Sequence, residues 1–197
     1  PVSGPWRNYL SRAEERKSVE VLRAVRDAVG PDIDILLDLH RRLSPMHAIR
    51  LADSYEEFEP YYYEEPCMWE NVEALADIKA SIRLPVVTGE AIYAKTGFRP
   101  ILQHNAADII NPDVASCGGI LELKEIAAMA EPFFVAVSPH NYNSTTLALA
   151  ATVHASAVMP NFIITEYFLP FVELGKEVCP NMLEVKDGYI DLPTAPG

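Results

Sequence analysis

Six short runs rich in β-branched and aromatic residues recur along this chain, and a helix-length stretch separates each from the next. The runs lie at Ile33–Asp38, Tyr61–Glu64, Pro85–Thr88, Asp108–Asn111, Phe133–Val137 and Phe162–Thr165. The intervening pattern predicts helices over 12–29, about 45–57, about 70–81, about 96–105, 120–131 and 144–157. The first of these carries Val21, Leu22, Val25 and Val29 on one face and stops at Gly30-Pro31, a helix-end signal. The strand that follows it, Ile33–Asp38, reads as buried. Strands alternating with helices of this length form βαβ units, hence a parallel sheet with right-handed crossovers. An open doubly wound sheet and part of a (β/α)-barrel both satisfy that rule. No G-x-G-x-x-G follows the first strand, which weakens the dinucleotide-binding form of the open sheet.

The residues that close the runs favour the barrel. They are Asp38, Glu64, Glu90, Asp113, His140 and Glu166, at spacings of 26, 26, 23, 27 and 26 residues. A near-constant period puts them at the same place in successive units. In a parallel barrel that place is the C-terminal rim, where active sites form. A single acidic residue at a loop start often does no more than cap a helix. Three in register are different, because adjacent carboxylates repel one another unless a cation sits between them. Asp38, Glu64 and Glu90 are therefore candidate ligands, and an all-oxygen set suits a hard ion, Mg²⁺ first. Asp113 and His140 end neighbouring strands, and a carboxylate beside an imidazole orients it and raises its basicity, as a general base requires. His40 stands two residues past Asp38, so the strand period points it to the same side as a second acid–base candidate. Glu166 could hydrogen-bond a substrate carboxylate if it stays protonated.

Other residues carry less. His47 and His104 read as solvated or capping, and His154 as packed in an apolar helix. Tyr61 to Tyr63 read as alternating inward and outward in packing roles. Arg41 and Arg42 stand where they could meet an anionic substrate.

Charge and cysteine usage exclude several classes. The 197 residues hold 28 acidic and 16 basic side chains, for a net charge of −12. No Lys/Arg cluster is present, which argues against a nucleic-acid partner. No apolar run reaches the ~18 residues of a membrane helix. Cys67, Cys117 and Cys179 show no metal or disulfide spacing, which points to reduced, buried thiols in a cytoplasmic protein. Because the chain opens at Pro1 and ends at Pro196-Gly197, it reads as an internal piece of a longer protein.

The segments LLDLH (36–40), YYYEEP (61–66), VVTGE (86–90), IINPDVASCGGI (109–120) and VAVSPHN (135–141) resemble the enolase superfamily, and within it the mandelate racemase-like enzymes. The resemblance covers about residues 12–197. It implies an α/β fold, a (β/α)-barrel that is incomplete here, with about six βα units and without the first strands and the N-terminal capping domain. Residues 1–185 would be the partial barrel, and 186–197 the start of a segment returning to the capping domain. The resemblance implies Mg²⁺ ligands at Asp38, Glu64 and Glu90, with Glu64 preferred to Glu65 as the first Glu of the triplet. It puts the dyad at Asp113 and His140, and a contact to the substrate carboxylate at Glu166. The Asp-x-His at 38–40 is similar to galactonate and mannonate dehydratases, where that histidine supplies a proton. Enolase itself and the muconate cycloisomerase-like enzymes have a Lys where Asp113 stands. The implied activity is dehydration of a sugar acid to a 2-keto-3-deoxy acid by a carbon–oxygen lyase. The implied assembly is a homo-oligomer with a small carboxylate substrate as its partner. A racemase or epimerase on the same scaffold, and a non-catalytic binding barrel, are the alternatives.

Overall fold

The structure is a computed structural model and describes residues 8–142, 144–179 and 183–194. In chain order its elements are α1 (Arg12–Val29), β1 (Leu36–Asp38), α2 (Pro45–Tyr55), β2 (Tyr62–Glu64), α3 (Val72–Ser81) and β3 (Val86–Thr88). There follow α4 (Ala94–Gln103), β4 (Ile109–Ile110), α5 (Val114–Cys117), α6 (Ile120–Ala130), β5 (Ala136–Val137) and α7 (Thr146–Ser156). Last come α8 (Val172–Val178) and a hairpin of β6 (Val185–Lys186) and β7 (Tyr189–Ile190). Residues 1–7, 143, 180–182 and 195–197 lie outside the described residues. The chain divides into two compact units, Pro1–Thr88 with Pro100–Ile109, and Gly89–Arg99 with Ile110–Gly197.

In the first unit, α1 begins with a capping box. The Ser11 hydroxyl accepts from the Glu14 N–H, and the Glu14 carboxylate accepts from the Ser11 N–H, so two otherwise orphaned donors are satisfied. The helix has its expected bounds but buries a different face. Glu15, Ser18 and Leu22 point inward, while Val21, Val25 and Val29 stay exposed. The neighbour explains the difference. Helix α2 offers polar groups here, with Arg50 Nε 2.8 Å from the Glu15 carboxylate, Ser54 Oγ donating to it at 3.1 Å and the Tyr55 hydroxyl bonded to Ser18.

Strands β1, β2 and β3 pair in parallel and in order. Asp38 stands opposite Glu64, and Glu64 opposite Val87. β1 is shorter than its run and is not buried: Ile33 and Leu36 are exposed. Among the described residues of this unit it pairs with β2. β2 has both faces covered, as a parallel strand inside a sheet should. Tyr62 and Tyr63 are therefore both buried rather than alternating, and Tyr61 alone is exposed. The Tyr63 hydroxyl, buried with its ring, donates to the Ala48 carbonyl at 3.0 Å. Asp108 ties the next run to β3, since its N–H donates to Val86 O and its carboxylate accepts from the Val86 N–H, each at 2.9 Å.

In the second unit, Ser138 N donates to Ile110 O at 2.9 Å and Ile163 N to Val137 O at 3.0 Å. Single parallel bridges join Asp113 to His140 and Val137 to Phe162. The strand expected over 162–165 is reduced to that second bridge. Pro139, which faces it, has no N–H to donate. Its carbonyl instead accepts from Thr165 Oγ1 at 2.8 Å and from Glu166 N at 3.3 Å. The run 133–137 yields only β5, because a 3₁₀ turn occupies Glu131–Phe133 and Phe134 is left-handed at φ 57°. Helix α8 was not foreseen in the sequence, and the β6–β7 hairpin straddles the 185/186 boundary expected there. No helix among the described residues is long and apolar enough to cross a membrane.

Gly89 is a glycine whose conformation matters. At φ 145°, a Cβ there would lie 2.8 Å from Phe98 Cε1 and 3.0 Å from the Asn111 backbone nitrogen. Gly89→Ala should therefore destabilise the full-length protein by about 1–3 kcal/mol. Thermal unfolding would read this as a Tm several degrees lower, and an unchanged Tm would contradict the packing described.

Candidate active site

The parallel register of the first unit sets Asp38 and Glu64 side by side at the ends of β1 and β2. Leu39 N donates to Glu64 O at 3.0 Å, continuing the pairing by one residue. The chain then turns sharply. His40 (φ 52°) and Arg41 (φ 60°) are both left-handed, a conformation that costs a non-glycine residue roughly 1–2 kcal/mol. The strand period invoked for His40 thus stops before it. His40 is nonetheless brought back to Asp38 by the turn, with its N–H donating to Asp38 Oδ1 at 2.7 Å and its Nδ1 3.6 Å from Asp38 Oδ2.

Glu65, the second acid of the triplet, is wholly buried and also left-handed, at φ 46°. Its Oε2 accepts from Arg41 Nη1 at 3.2 Å and its Oε1 from Thr88 Oγ1 at 2.9 Å. A buried carboxylate needs such partners, and Glu65 is committed to them. Glu64, the first acid of the pair and the candidate ligand, is half-buried instead. The contacts of Glu65 also give Arg41, expected near the substrate, a task inside the fold. Nothing in the sequence marks Glu65 beyond its place in the Glu-Glu-Pro triplet.

In the second unit the exit of β4 and the exit of β5 meet. Asp113 and His140 form a backbone bridge, and His140 Nδ1 lies 2.6 Å from Asp113 Oδ2. An ionised Asp113 only accepts, so Nδ1 carries the hydrogen and donates it, which leaves the Nε2 lone pair outward. The other Asp113 oxygen caps α5 by accepting from Ala115 N at 2.7 Å. The dyad carboxylate is thus fixed from both sides. Nε2 faces two further carboxylates, Glu90 at 3.3 Å and Glu166 at 3.7 Å. Glu166 Oε2 also accepts from the Asn141 N–H at 3.0 Å. Burial, the largest single influence, favours the neutral ring, but the Asp113 hydrogen bond and the charges of Glu90, Glu166 and Asp113 together raise the His140 pKa above its usual value. Glu166 therefore reaches the imidazole although the strand expected to carry it is a single bridge.

The candidate ligands Asp38, Glu64 and Glu90 offer only carboxylate oxygen, which fits a hard divalent cation. Among the described residues, no three His, Cys, Asp or Glu side chains are already gathered as a cage. Glu90 is instead paired with His140.

The chain matches the sequence profile of the family described as "Enolase C-terminal domain-like" over residues 6–197. It belongs to that family. Its fold is accordingly an incomplete (β/α)-barrel of the enolase-superfamily type, in line with its likeness to a mandelate racemase/muconate lactonizing enzyme-like protein from Rubrobacter xylanophilus. That solved structure superposes with a TM-score of 0.90 at 32% identity, covering 98% of this chain and 50% of the other. The D-gluconate dehydratase of Thermoproteus tenax is 31% identical over 196 residues, 98% of this chain and 39% of that protein. The D-xylonate dehydratase of Haloferax volcanii is 30% identical over 189 residues, 96% of this chain and 46% of that protein. The chain thus spans half or less of the length of these relatives.

The remaining histidines and cysteines of this enolase-family chain have structural surroundings. His47 is buried rather than solvated, with Nδ1 2.8 Å from Ser44 Oγ and its ring edge-on to Tyr9. His104 is exposed and bonds Pro100 O at 2.9 Å. His154, expected to be packed, is exposed. Cys67 and Cys117 are buried free thiols, and Cys179 is half-buried. Burial first, and nearby carboxylates next, push Cys67 up to about 12; burial likewise pushes Cys117 up to about 11. The thiolate is the reactive form, so native protein at pH 8 should leave both unlabelled by iodoacetamide, with labelling in denaturant. Modification of either in the folded protein, read by peptide mapping, would contradict this.

Proposed function

We propose that the full-length protein is a Mg²⁺-dependent sugar-acid dehydratase, a carbon–oxygen lyase that removes the proton α to a carboxylate. The observation that carries the reading is the Asp113–His140 dyad, with Nδ1 held at 2.6 Å and Nε2 directed at two carboxylates. Membership of the enolase family and the dehydratase names of its relatives support it. Asp38, Glu64 and Glu90 are the residues that would hold the ion. Bound there, a divalent cation supplies positive charge that offsets the negative charge developing when an α-proton leaves.

The chain's own residues do the proton chemistry. His140 Nε2 takes the α-proton while Asp113 holds Nδ1–H and stabilises the imidazolium. Glu166 stands beside the dyad, where a protonated carboxyl would hydrogen-bond the substrate carboxylate. His40 gives a proton to the departing 3-hydroxyl, so the carbon–oxygen bond breaks with loss of water. The resulting enol tautomerises to a 2-keto-3-deoxy acid.

The test is a library of acid sugars incubated with the full-length protein and Mg²⁺, scored for 2-keto acid. A hit is the expected result and names the substrate. Exchange of the α-proton in D₂O without loss of water would replace dehydration by racemisation or epimerisation. Neither reaction across the library would leave a binding barrel. His140→Asn should lower turnover by about 10²–10⁴-fold, the usual contribution of a positioned acid–base group, and Glu90→Gln should abolish it. His40→Asn should slow dehydration more than α-proton exchange. Wild-type-like turnover in Glu90→Gln would remove the metal assignment.

A further inference from the structure

The chain holds three left-handed non-glycine residues at the exits of two adjacent strands, His40 and Arg41 after β1 and Glu65 after β2. Such residues persist only where their surroundings over-determine them. Here the surroundings converge on Glu65. Its backbone carbonyl accepts from the Arg41 N–H at 2.7 Å, and its own N–H donates to Val87 O at 2.8 Å. Its carboxylate, with no exposure, takes the Arg41 guanidinium on one oxygen and the Thr88 hydroxyl on the other. Arg41 is thus held to Glu65 through both its main chain and its side chain. His40 is the residue immediately before Arg41, and its own side chain is half exposed. The turn returns His40 to Asp38, at 2.7 Å through the N–H and 3.6 Å through Nδ1.

From this we infer that Glu65, acting through Arg41, is a positioning residue for His40. The buried pair locks the turn that returns the imidazole to Asp38, where it can serve as proton donor. Thr88 fixes the second carboxylate oxygen, so the latch is anchored on the third strand as well as the second. This role rests on the dehydratase reading only for its catalytic consequence; the geometry of His40 is a separate observable.

The experiment uses full-length protein with ¹³C-labelled histidine. The His40 ring signal is assigned by its loss in His40→Asn. In Glu65→Gln the His40 signal should shift or broaden while the His140 signal stays in place. An unmoved His40 signal in the folded variant overturns the inference. In the same variant, the ratio of α-proton exchange to dehydration should rise on the order of tenfold, within the range a misplaced acid–base group produces. A parallel fall of both reactions overturns it, since that would report damage to the neighbouring Glu64 instead. Should Glu65→Gln fail to fold, the double variant Arg41→Gln/Glu65→Gln removes both buried charges and should recover stability. Its His40 signal should remain displaced and its ratio raised; a return of both to wild type would make the pair structural only. A wild-type protein that makes no 2-keto acid defeats the dehydratase reading, yet the histidine spectra still decide the latch.

Discussion

Parallel pairing in register is the constraint on which the rest depends. Adjacent strands of a sheet lie about 4.8 Å apart, so two side chains at the same level of neighbouring strands are held within reach of each other without any special loop. Asp38 opposite Glu64 in one unit, and Asp113 opposite His140 in the other, are products of that register. A slip of one residue would turn each side chain to the opposite face. The apolar anchors that prevent the slip are Tyr62, Tyr63, Val86 and Val87 in the first unit, and Ile110 and Val137 in the second, all buried. Chemistry at the strand ends and packing within the strands are therefore one design.

The two strand-end groups solve their electrostatic problem differently. In the first unit a buried carboxylate, Glu65, is compensated by Arg41 and by a hydroxyl. In the second, an imidazole is set among three carboxylates, which raise its pKa against the opposing effect of burial. The first arrangement fixes conformation, because Arg41 and Thr88 each hold one oxygen of a carboxylate that has no exposure. The second suits proton transfer, because an imidazole can both take and give a proton.

Much of this was legible in the sequence. The recurrence of Asp38, Glu64, Glu90, Asp113, His140 and Glu166 at a near-constant spacing is a direct image of the repeating βα unit. The helix at 12–29 was legible from its helical pattern and the stop at Gly30-Pro31, which have local causes, and the Ser11–Glu14 capping box is a further local signal at its start. What was not legible depends on neighbours. The face of α1 that packs is decided by Arg50, Ser54 and Tyr55 of another helix. The loss of the strand at 162–165 follows from the missing N–H of Pro139 across the sheet. The approach of His40 to Asp38 was expected from a strand period, whereas a left-handed turn produces it. Glu65 was invisible for the same reason, since its burial is a property of Arg41 and Thr88 as much as of itself.

The central claim is the proposal that Asp38, Glu64 and Glu90 would hold a divalent cation. The most direct test is a crystal structure of the full-length protein grown with Mg²⁺. The account predicts an ion ligated by these three carboxylates, with Glu90 turned away from His140 Nε2, from which it lies 3.3 Å here. An ion held elsewhere, or Glu90 still paired with His140 in the metal-loaded protein, would contradict it.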